Sequence, residues 1–141
     1  MIILTLFWAS FLASTILPFS SEAALSAALL SENNQFLCLI AATLGNSLGS
    51  VTTFILGRYC RFDLLAKYCK VSKETILKTQ EKIQKYGWYI SFFCFLPIVG
   101  DGIAIALGYG KCSWSKFIIL MTLGKFIRYM LWIYLHNQVA N

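Results

Sequence analysis

The stretch LPIVGDGIAIALG, Leu96 to Gly108, places a proline, three glycines and a carboxylate inside a long apolar run. Proline removes a helical hydrogen-bond donor, and glycine is tolerated where a regular helix is broken. Irregular backbone cannot face lipid and must be packed in protein or line a wet cavity. The pattern therefore predicts two half-helices broken at Pro97, Gly100 and Gly102, arranged either as a re-entrant hairpin or as an unwound span.

The composition indicates an integral membrane protein. Of the 141 residues, 58% are hydrophobic and 13% are charged, and the mean hydropathy is +0.68, which is too apolar for a soluble domain of this size. Two continuous apolar segments, Phe36 to Leu56 and Phe117 to Leu135, each supply about 20 residues, enough to span a bilayer core of ~30 Å. Two further apolar regions, Ile2 to Leu30 and Trp88 to Tyr109, are interrupted. We expect an all-helical fold.

The basic residues cluster in the connector between the two halves. No Lys or Arg precedes Arg58, and eight basic residues lie between Arg58 and Lys85. Positive charge beside membrane segments marks the cytoplasmic side, so we expect no nucleic-acid partner. The segment from Ser72 to Gly87 predicts a helix that lies on the membrane surface or in solvent, with Gly87 as its C-terminal stop.

A constant offset of 79 residues relates the two halves of the chain. It aligns LPFSSEA, Leu17 to Ala23, with LPIVGDG, so that Pro18 matches Pro97 and Glu22 matches Asp101. Chance matching of apolar sequence is the alternative explanation. Paired, interrupted apolar segments at corresponding positions are typical of the binding site of a transporter built from repeats.

Each copy is predicted to hold one broken hairpin followed by one full span. Because a hairpin returns to its own side, the second copy begins on the opposite side of the membrane, which gives an inverted repeat. We expect a single membrane domain over 1–141, with repeat one over about 1–57, a cytoplasmic connector helix within about 58–87, and repeat two over about 88–137.

Charged residues are predicted at membrane depth. Lys125 and Arg128 share one face of the second span, and exposing either to lipid costs roughly 2.5 to 3.5 kcal/mol, so both should face the interior. Glu22 and Asp101 offer matching negative charge, and Asn46 aligns with Lys125 in the repeat. These residues form either a buried network that fixes packing, or a cleft that attracts an anionic group and handles protons. Asp101 alternatively caps its half-helix.

Other site chemistry is not indicated by the sequence. Arg58, just past the first span, is expected to snorkel or to contact a lipid headgroup. The sequence contains no nucleophile with a positioned base, no metal-ligand cluster and no nucleotide-binding loop. We therefore expect no catalytic residue, no metal and no cofactor.

An ordered set of motifs resembles a known family. LPFSSEAAL, GNSLGS followed by GRY, a connector ending in KYG, and FLPIVGD followed by SW and LGKFIRY are similar to the YqaA-like branch of the DedA family, whose domain is also called SNARE-associated or VTT. The similarity covers nearly the whole chain. It implies a bacterial inner-membrane protein with two opposed re-entrant hairpins that moves polyprenyl phosphates or phospholipids, with proton-motive-force dependence in some members.

One departure from the family pattern affects lipid specificity. Better-studied members resemble one another in R-F-x-P-x-x-R on the second hairpin, but Cys94 and Gly100 occupy the two arginine positions in this chain. The resemblance implies flippase-like or scramblase-like movement of an anionic lipid, with membrane lipids as partners and protons as candidate coupling ions. The alternatives are a proton-coupled carrier of a small solute or ion and a non-transporting membrane scaffold. The sequence leaves the oligomeric state open.

Overall fold

The computed structural model describes residues 1–14, 21–31, 34–59, 73–96 and 99–141, and only the backbone of 73, 75, 76, 79, 99, 101 and 102. Its helices are α1 (Ile2–Ala13), α2 (Ser21–Ser31), α3 (Gln35–Tyr59), α4 (Lys73–Ser91), a 3₁₀ helix (Phe92–Phe95), α5 (Val99–Tyr109) and α6 (Trp114–Ala140). No strand occurs in these ranges. The all-helical architecture is confirmed.

Among the described helices, α3 and α6 are long and apolar enough to cross a membrane, each with a mean hydropathy of 1.5. They contain the predicted segments Phe36 to Leu56 and Phe117 to Leu135. The apolar window of α3 is 61% buried within the protein, whereas that of α6 is 22% buried. Helix α3 is therefore central, and much of α6 is available to lipid.

Helices α3 and α6 pack against each other in antiparallel directions. The start of α3 contacts the end of α6 through paired amide groups, the middles meet through a lysine and an asparagine, and the far ends stack two phenyl rings at 4.1 Å. The three pairs are Gln35 with Asn137, Asn46 with Lys125, and Phe54 with Phe117. Helix α1 packs on one side of α3, and α5 packs near its C-terminal end.

Two apolar cores lie along the α3–α6 pair. The first joins α1 and α2 to the early part of α3 and the late part of α6: Leu6, Leu25, Ala28, Cys38, Leu39, Ala41, Ala42, Tyr129 and Ile133. The second joins the later elements: Phe54, Ile83, Cys94, Ala104, Leu107, Cys112, Phe117 and Met121. Between them, α3 and α6 carry polar side chains, so the middle of the bundle is a polar layer.

The connector helix ends later in the chain than predicted. Helix α4 continues through Gly87 to Ser91, so the prediction that Gly87 stops the helix is wrong. Gly87 is buried, and a side chain there would press on Ile83 and Leu107, with their nearest methyl carbons 3.0 Å from its Cβ. The glycine serves close packing between α4 and α5, and this packing overrides its local tendency to end a helix.

The predicted breaks are described only in part. Pro18 and Pro97 lie outside the described residues. Gly100 and Gly102 lie in the first turn of α5, and the Gly100 N–H donates to the Leu96 carbonyl at 3.0 Å. No glycine in the described ranges has a positive φ. Gly100 instead allows close approach, because a Cβ there would overlap the Cys94 carbonyl oxygen.

The helix bounds of the two halves correspond at the offset of 79. Helix α3 begins at residue 35 and α6 begins at residue 114. Moving α2 along by 79 gives 100–110, one residue from the bounds of α5, and moving α1 gives 81–92, the second part of α4 with one further residue. The correspondence is one of position along the chain.

Two glycines bring α3 and α5 into backbone contact. A Cβ at Gly108 would overlap the Phe54 carbonyl oxygen, and a Cβ at Gly57 would overlap that of Ile105. Small residues at helix crossings allow such approach, which favours helix association in membranes where no hydrophobic driving force operates between helices. The α3–α5 crossing therefore depends on glycine at both positions.

We predict that Gly108→Ala lowers the free energy of unfolding by about 1 to 3 kcal/mol, because the added methyl group overpacks a backbone contact. Ala106→Leu is the matched control, since Ala106 is exposed on the same helix and its enlargement should be nearly neutral. Denaturant unfolding in detergent micelles measures both. Equal stability of the two variants would contradict the close backbone contact between α3 and α5 at Gly108.

Candidate functional site

The ion pair between Glu22 and Arg128 joins the first turn of α2 to the middle of α6. The Glu22 carboxylate contacts Arg128 Nη2, and the two side chains are 13% and 18% exposed, respectively. Arg128 Nη1 also donates to the Phe95 carbonyl oxygen at 2.5 Å. The structure thus brings together two of the predicted site residues. A planar guanidinium with five N–H donors retains capacity for a further oxygen ligand beside these contacts.

Two hydrogen bonds hold α2 against α6 around this ion pair. Tyr129 Oη donates to Ser21 Oγ at 2.7 Å, and Trp132 Nε1 donates to Ser26 Oγ at 2.9 Å. Ser21 directly precedes Glu22 on α2, and Ser26 lies one turn after it. These contacts fix how Glu22 faces Arg128. Neither bond is predicted from the sequence, although the adjacent polar pairs Ser21–Glu22 and Arg128–Tyr129 carried the signal.

The ammonium group of Lys125 lies inside a set of oxygen acceptors. Lys125 is 2% exposed. Its Nζ donates to the Asn46 backbone carbonyl at 2.8 Å, to Asn46 Oδ1, to Ser50 Oγ and, at 3.4 Å, to Ser14 Oγ. We call Lys125, Asn46, Ser50 and Ser14 the lysine cage. The acceptors among the described residues belong to the first half of the chain, whereas the donor belongs to the second.

The lysine cage is braced by further bonds between α1 and α3. Ser14 Oγ and Ser50 Oγ lie 2.9 Å apart, and Asn46 Nδ2 donates to the Ser10 carbonyl at 3.2 Å. Thr53 Oγ1 donates to the Ser14 carbonyl at 3.2 Å. Ser50 is not among the site residues predicted from the sequence. Its place on the face shared with Asn46 was the available signal.

Three further buried hydroxyl groups belong to the polar layer in the middle of the bundle. The side-chain oxygens of Ser10, Thr43 and Ser47 have no hydrogen-bond partner among the described residues. Thr43 and Ser47 lie one turn apart on α3, and Ser47 follows Asn46 directly. Buried hydroxyl groups without partners are costly, so this layer is more polar than helix packing alone requires.

The remaining predicted site residues are Asp101 and Arg58, and the structure describes neither in these contacts. The Asp101 side chain lies outside the described residues, although its backbone belongs to α5. Arg58 lies at the end of α3, where its Nη1 donates to the Cys112 carbonyl at 3.1 Å and its Cζ lies 5.3 Å from the Trp114 ring centroid. In the described ranges no cluster of His, Cys, Asp or Glu could hold a metal ion.

Cys112 lies in the turn between α5 and α6, outside the spanning helices. Burial raises the pKa of its thiol above the ordinary value, with opposing contributions from a Ser91 hydrogen bond and from the nearby charges of Lys116 and Arg58. The folded protein therefore holds the thiol proton to a higher pH than the unfolded chain does, and thiolate chemistry is suppressed.

We predict that Cys112, kept as the sole cysteine, reacts with iodoacetamide at pH 8 at least tenfold more slowly than a cysteine at the exposed neighbouring position. Cys112→Ser with Ser113→Cys provides that control, because Ser113 is exposed and its side chain makes no capping bond. Mass spectrometry of timed samples measures both rates. Equal rates in folded protein would contradict the buried turn.

Comparisons with known proteins identify relatives over most of the chain. The family model for the VTT domain matches residues 17–138. Inner membrane protein YqaA of Escherichia coli (strain K12) is 34% identical over 127 residues, which cover 89% of this chain and 84% of that protein. No solved structure matches.

Two further relatives carry informative names. Undecaprenyl phosphate transporter A of Bacillus subtilis is 29% identical over 107 residues, 73% of this chain and 54% of that protein. An alkaline phosphatase-like protein of Lactococcus lactis subsp. lactis is 33% identical over 98 residues, 63% of this chain and 46% of that protein.

Proposed function

Because the chain belongs to the VTT-domain family, also called DedA, we propose that it moves an anionic lipid across the bacterial inner membrane. The observation that supports this proposal most directly is the ion pair between Glu22 of α2 and Arg128, which lies in the middle of the spanning helix α6. A phosphate-bearing headgroup would exchange with the Glu22 carboxylate at Arg128 while the acyl or prenyl chains remain in the bilayer. The relative named undecaprenyl phosphate transporter A supports a lipid phosphate as substrate.

The depth of Arg128 favours this role. It lies 14 residues after the start of α6 and 12 before the end, or roughly 20 Å from either terminus at ~1.5 Å per residue. A lipid headgroup encounters its largest barrier in the hydrocarbon core, where a charge lacks hydration. A cation held at that depth lowers this barrier for an anion, and Arg128 can bind a phosphate through two parallel hydrogen bonds.

The partial exposure of the ion pair is consistent with exchange. Glu22 and Arg128 retain 13% and 18% of their side-chain surface, so a competing anion can reach the guanidinium without opening a core. The phosphate takes the place of the Glu22 carboxylate at Arg128, and because Glu22 stays attached to α2, the local charge is preserved when that carboxylate takes up a proton. This exchange avoids leaving Arg128 as an unpaired buried cation, which would cost several kcal/mol.

We further assign the basic connector, 58–87, to the cytoplasmic side and describe the chain as two inverted copies, each with a re-entrant hairpin and a span. The charge asymmetry supports the first assignment, and the correspondence of helix bounds at the offset of 79 supports the second. The role we propose is transport rather than catalysis. Because one relative is named alkaline phosphatase-like, release of phosphate from the lipid should be measured in the same vesicles.

We predict that vesicles containing the purified protein move a labelled polyprenyl phosphate or anionic phospholipid faster than protein-free vesicles, and that Arg128→Ala lowers this rate at least tenfold. Leu131→Ala is the matched control, since Leu131 is an exposed apolar residue on the same helix. Dithionite quenching of a fluorescent headgroup measures the rate. Wild-type vesicles no faster than protein-free ones, across several anionic lipids, would disprove the proposal.

A scaffold role is the second candidate, because Arg128 and Glu22 also hold α2 on α6. The double variant Glu22→Gln with Arg128→Met separates the two roles. Removing one partner of a buried ion pair costs about 3 to 5 kcal/mol, whereas replacing both with neutral groups is often nearly neutral. We predict that Glu22→Gln alone loses stability and transport, and that the double variant recovers thermal stability but not lipid movement. Recovery of both would show that the ion pair serves only the fold, whereas a non-transporting scaffold predicts that wild-type vesicles move no lipid.

A further inference from the structure

We propose that Lys125 is a positioning residue that couples the two halves of the chain at an internal two-fold axis, and that it does not bind the substrate. The inference deepens the proposed function and depends on it only where lipid movement is the measurement. It starts from one contact: Lys125 Nζ donates to both oxygens of Asn46, the residue 79 positions earlier in the chain.

A residue touches its own repeat equivalent only where the symmetry axis passes between the two. The offset of 79 was derived from sequence matches elsewhere, and it equates positions 46 and 125. Each of them lies 11 residues after the start of its spanning helix, α3 or α6. Their contact therefore marks where a two-fold axis would cross the α3–α6 pair.

A two-fold axis at this point would convert each contact on one side of it into an equivalent contact on the other side, and the helix ends follow this rule. Gln35 hydrogen bonds with Asn137 near one end of the pair. Exchanging the halves converts positions 35 and 137 into 114 and 58, and Arg58 lies 5.3 Å from the ring of Trp114 at the other end. Because α3 and α6 are antiparallel, the axis is perpendicular to both, and in a bilayer it lies in the membrane plane.

The apolar cores are related in the same way. Phe54 stacks on Phe117 in the second core. The exchanged positions are 133 and 38, and Ile133 and Cys38 both belong to the first core. The two cores therefore occupy equivalent places on either side of the lysine cage. The cage itself is asymmetric, since one half supplies the ammonium group and the other supplies the oxygens.

The burial of Lys125 favours a positioning role over contact with a lipid. Its side chain is 2% exposed, and within the described part of the chain its ammonium group has four oxygen acceptors, on α3 and at the end of α1. These bonds hold α6 against α1 and α3. Arg128 lies one turn further along α6, so the cage fixes where its guanidinium meets Glu22 on α2.

The cage can be rebuilt with the lysine on the opposite helix. Position 46 lies one turn before Ser50 on α3, and Ser14 packs beside Ser50. A lysine at 46 can therefore reach the same hydroxyl groups, and an asparagine at 125 can supply the amide oxygen from the opposite helix. The reciprocal exchange Asn46→Lys with Lys125→Asn should rebuild the cage, whereas either substitution alone leaves two asparagines or two lysines facing each other.

The experiment compares Asn46→Lys, Lys125→Asn and the double exchange in vesicles and in thermal unfolding. We expect each single variant to move a labelled lipid phosphate at least tenfold more slowly than wild type and to lower the Tm, and the double exchange to lie within threefold of wild type with most of the Tm recovered. The matched control, Gln35→Asn with Asn137→Gln at the exposed helix ends, should change neither measurement.

Selectivity distinguishes positioning of Arg128 from support of the fold alone. We expect Lys125→Asn to reduce movement of an anionic lipid more than that of a zwitterionic one, and the double exchange to restore the ratio. A double exchange no better than the worse single variant, in rate and in Tm, would overturn the inference. If wild type moves no lipid, the proposed function fails separately, and recovery or loss of Tm in the double exchange still decides the axis.

Discussion

A cation in the middle of a membrane must find oxygen atoms within the protein, because hydrocarbon supplies none. Helix α6 carries two such cations one turn apart, and their acceptors come from different elements. Lys125 takes its oxygens from α3 and the end of α1, and Arg128 takes its oxygens from α2 and the 3₁₀ helix. These polar contacts alone already constrain where α1, α2, α3 and the 3₁₀ helix lie around α6, and the apolar contacts add to that constraint.

The same requirement explains why the bundle has two cores instead of one. Polar side chains that serve the cations occupy the middle of α3 and α6, so the large apolar side chains lie toward the two ends. Within the polar layer, exposure differs between the cations: Lys125 is fully enclosed, whereas Arg128 keeps some surface. This difference supports the division of roles that we propose, with positioning at the first and headgroup contact at the second.

Much of the fold could be predicted because apolar length is a direct requirement of the bilayer. Both spanning helices contain their predicted segments, and the expectation that Lys125 and Arg128 face the interior follows from the cost of a charge in lipid. The end of α4 could not be predicted. Gly87 has a local tendency to stop a helix, but its neighbours on α5 lie close only after folding, and that packing determines its role.

The hydroxyl groups of the lysine cage escaped prediction for a related reason. Serine in a membrane helix serves either close packing or hydrogen bonding, and the choice depends on the register of the facing helix. The register of α1 on α3 brings Ser14 to Ser50, and no local pattern specifies it. The Glu22–Arg128 contact was easier to anticipate, since two opposite charges at depth have few other ways to be compensated.

The meeting of Asn46 and Lys125 has a consequence for how such a chain can arise by duplication. In an assembly of two identical single-repeat ancestors, the proposed axis would set this position against its own copy, so that a lysine would oppose a lysine and an asparagine would oppose an asparagine. Two ammonium groups in one buried site repel, whereas two amides can pair. A lone lysine facing an amide is available only after the gene is duplicated and the copies are free to diverge, so this charge would be a product of duplication.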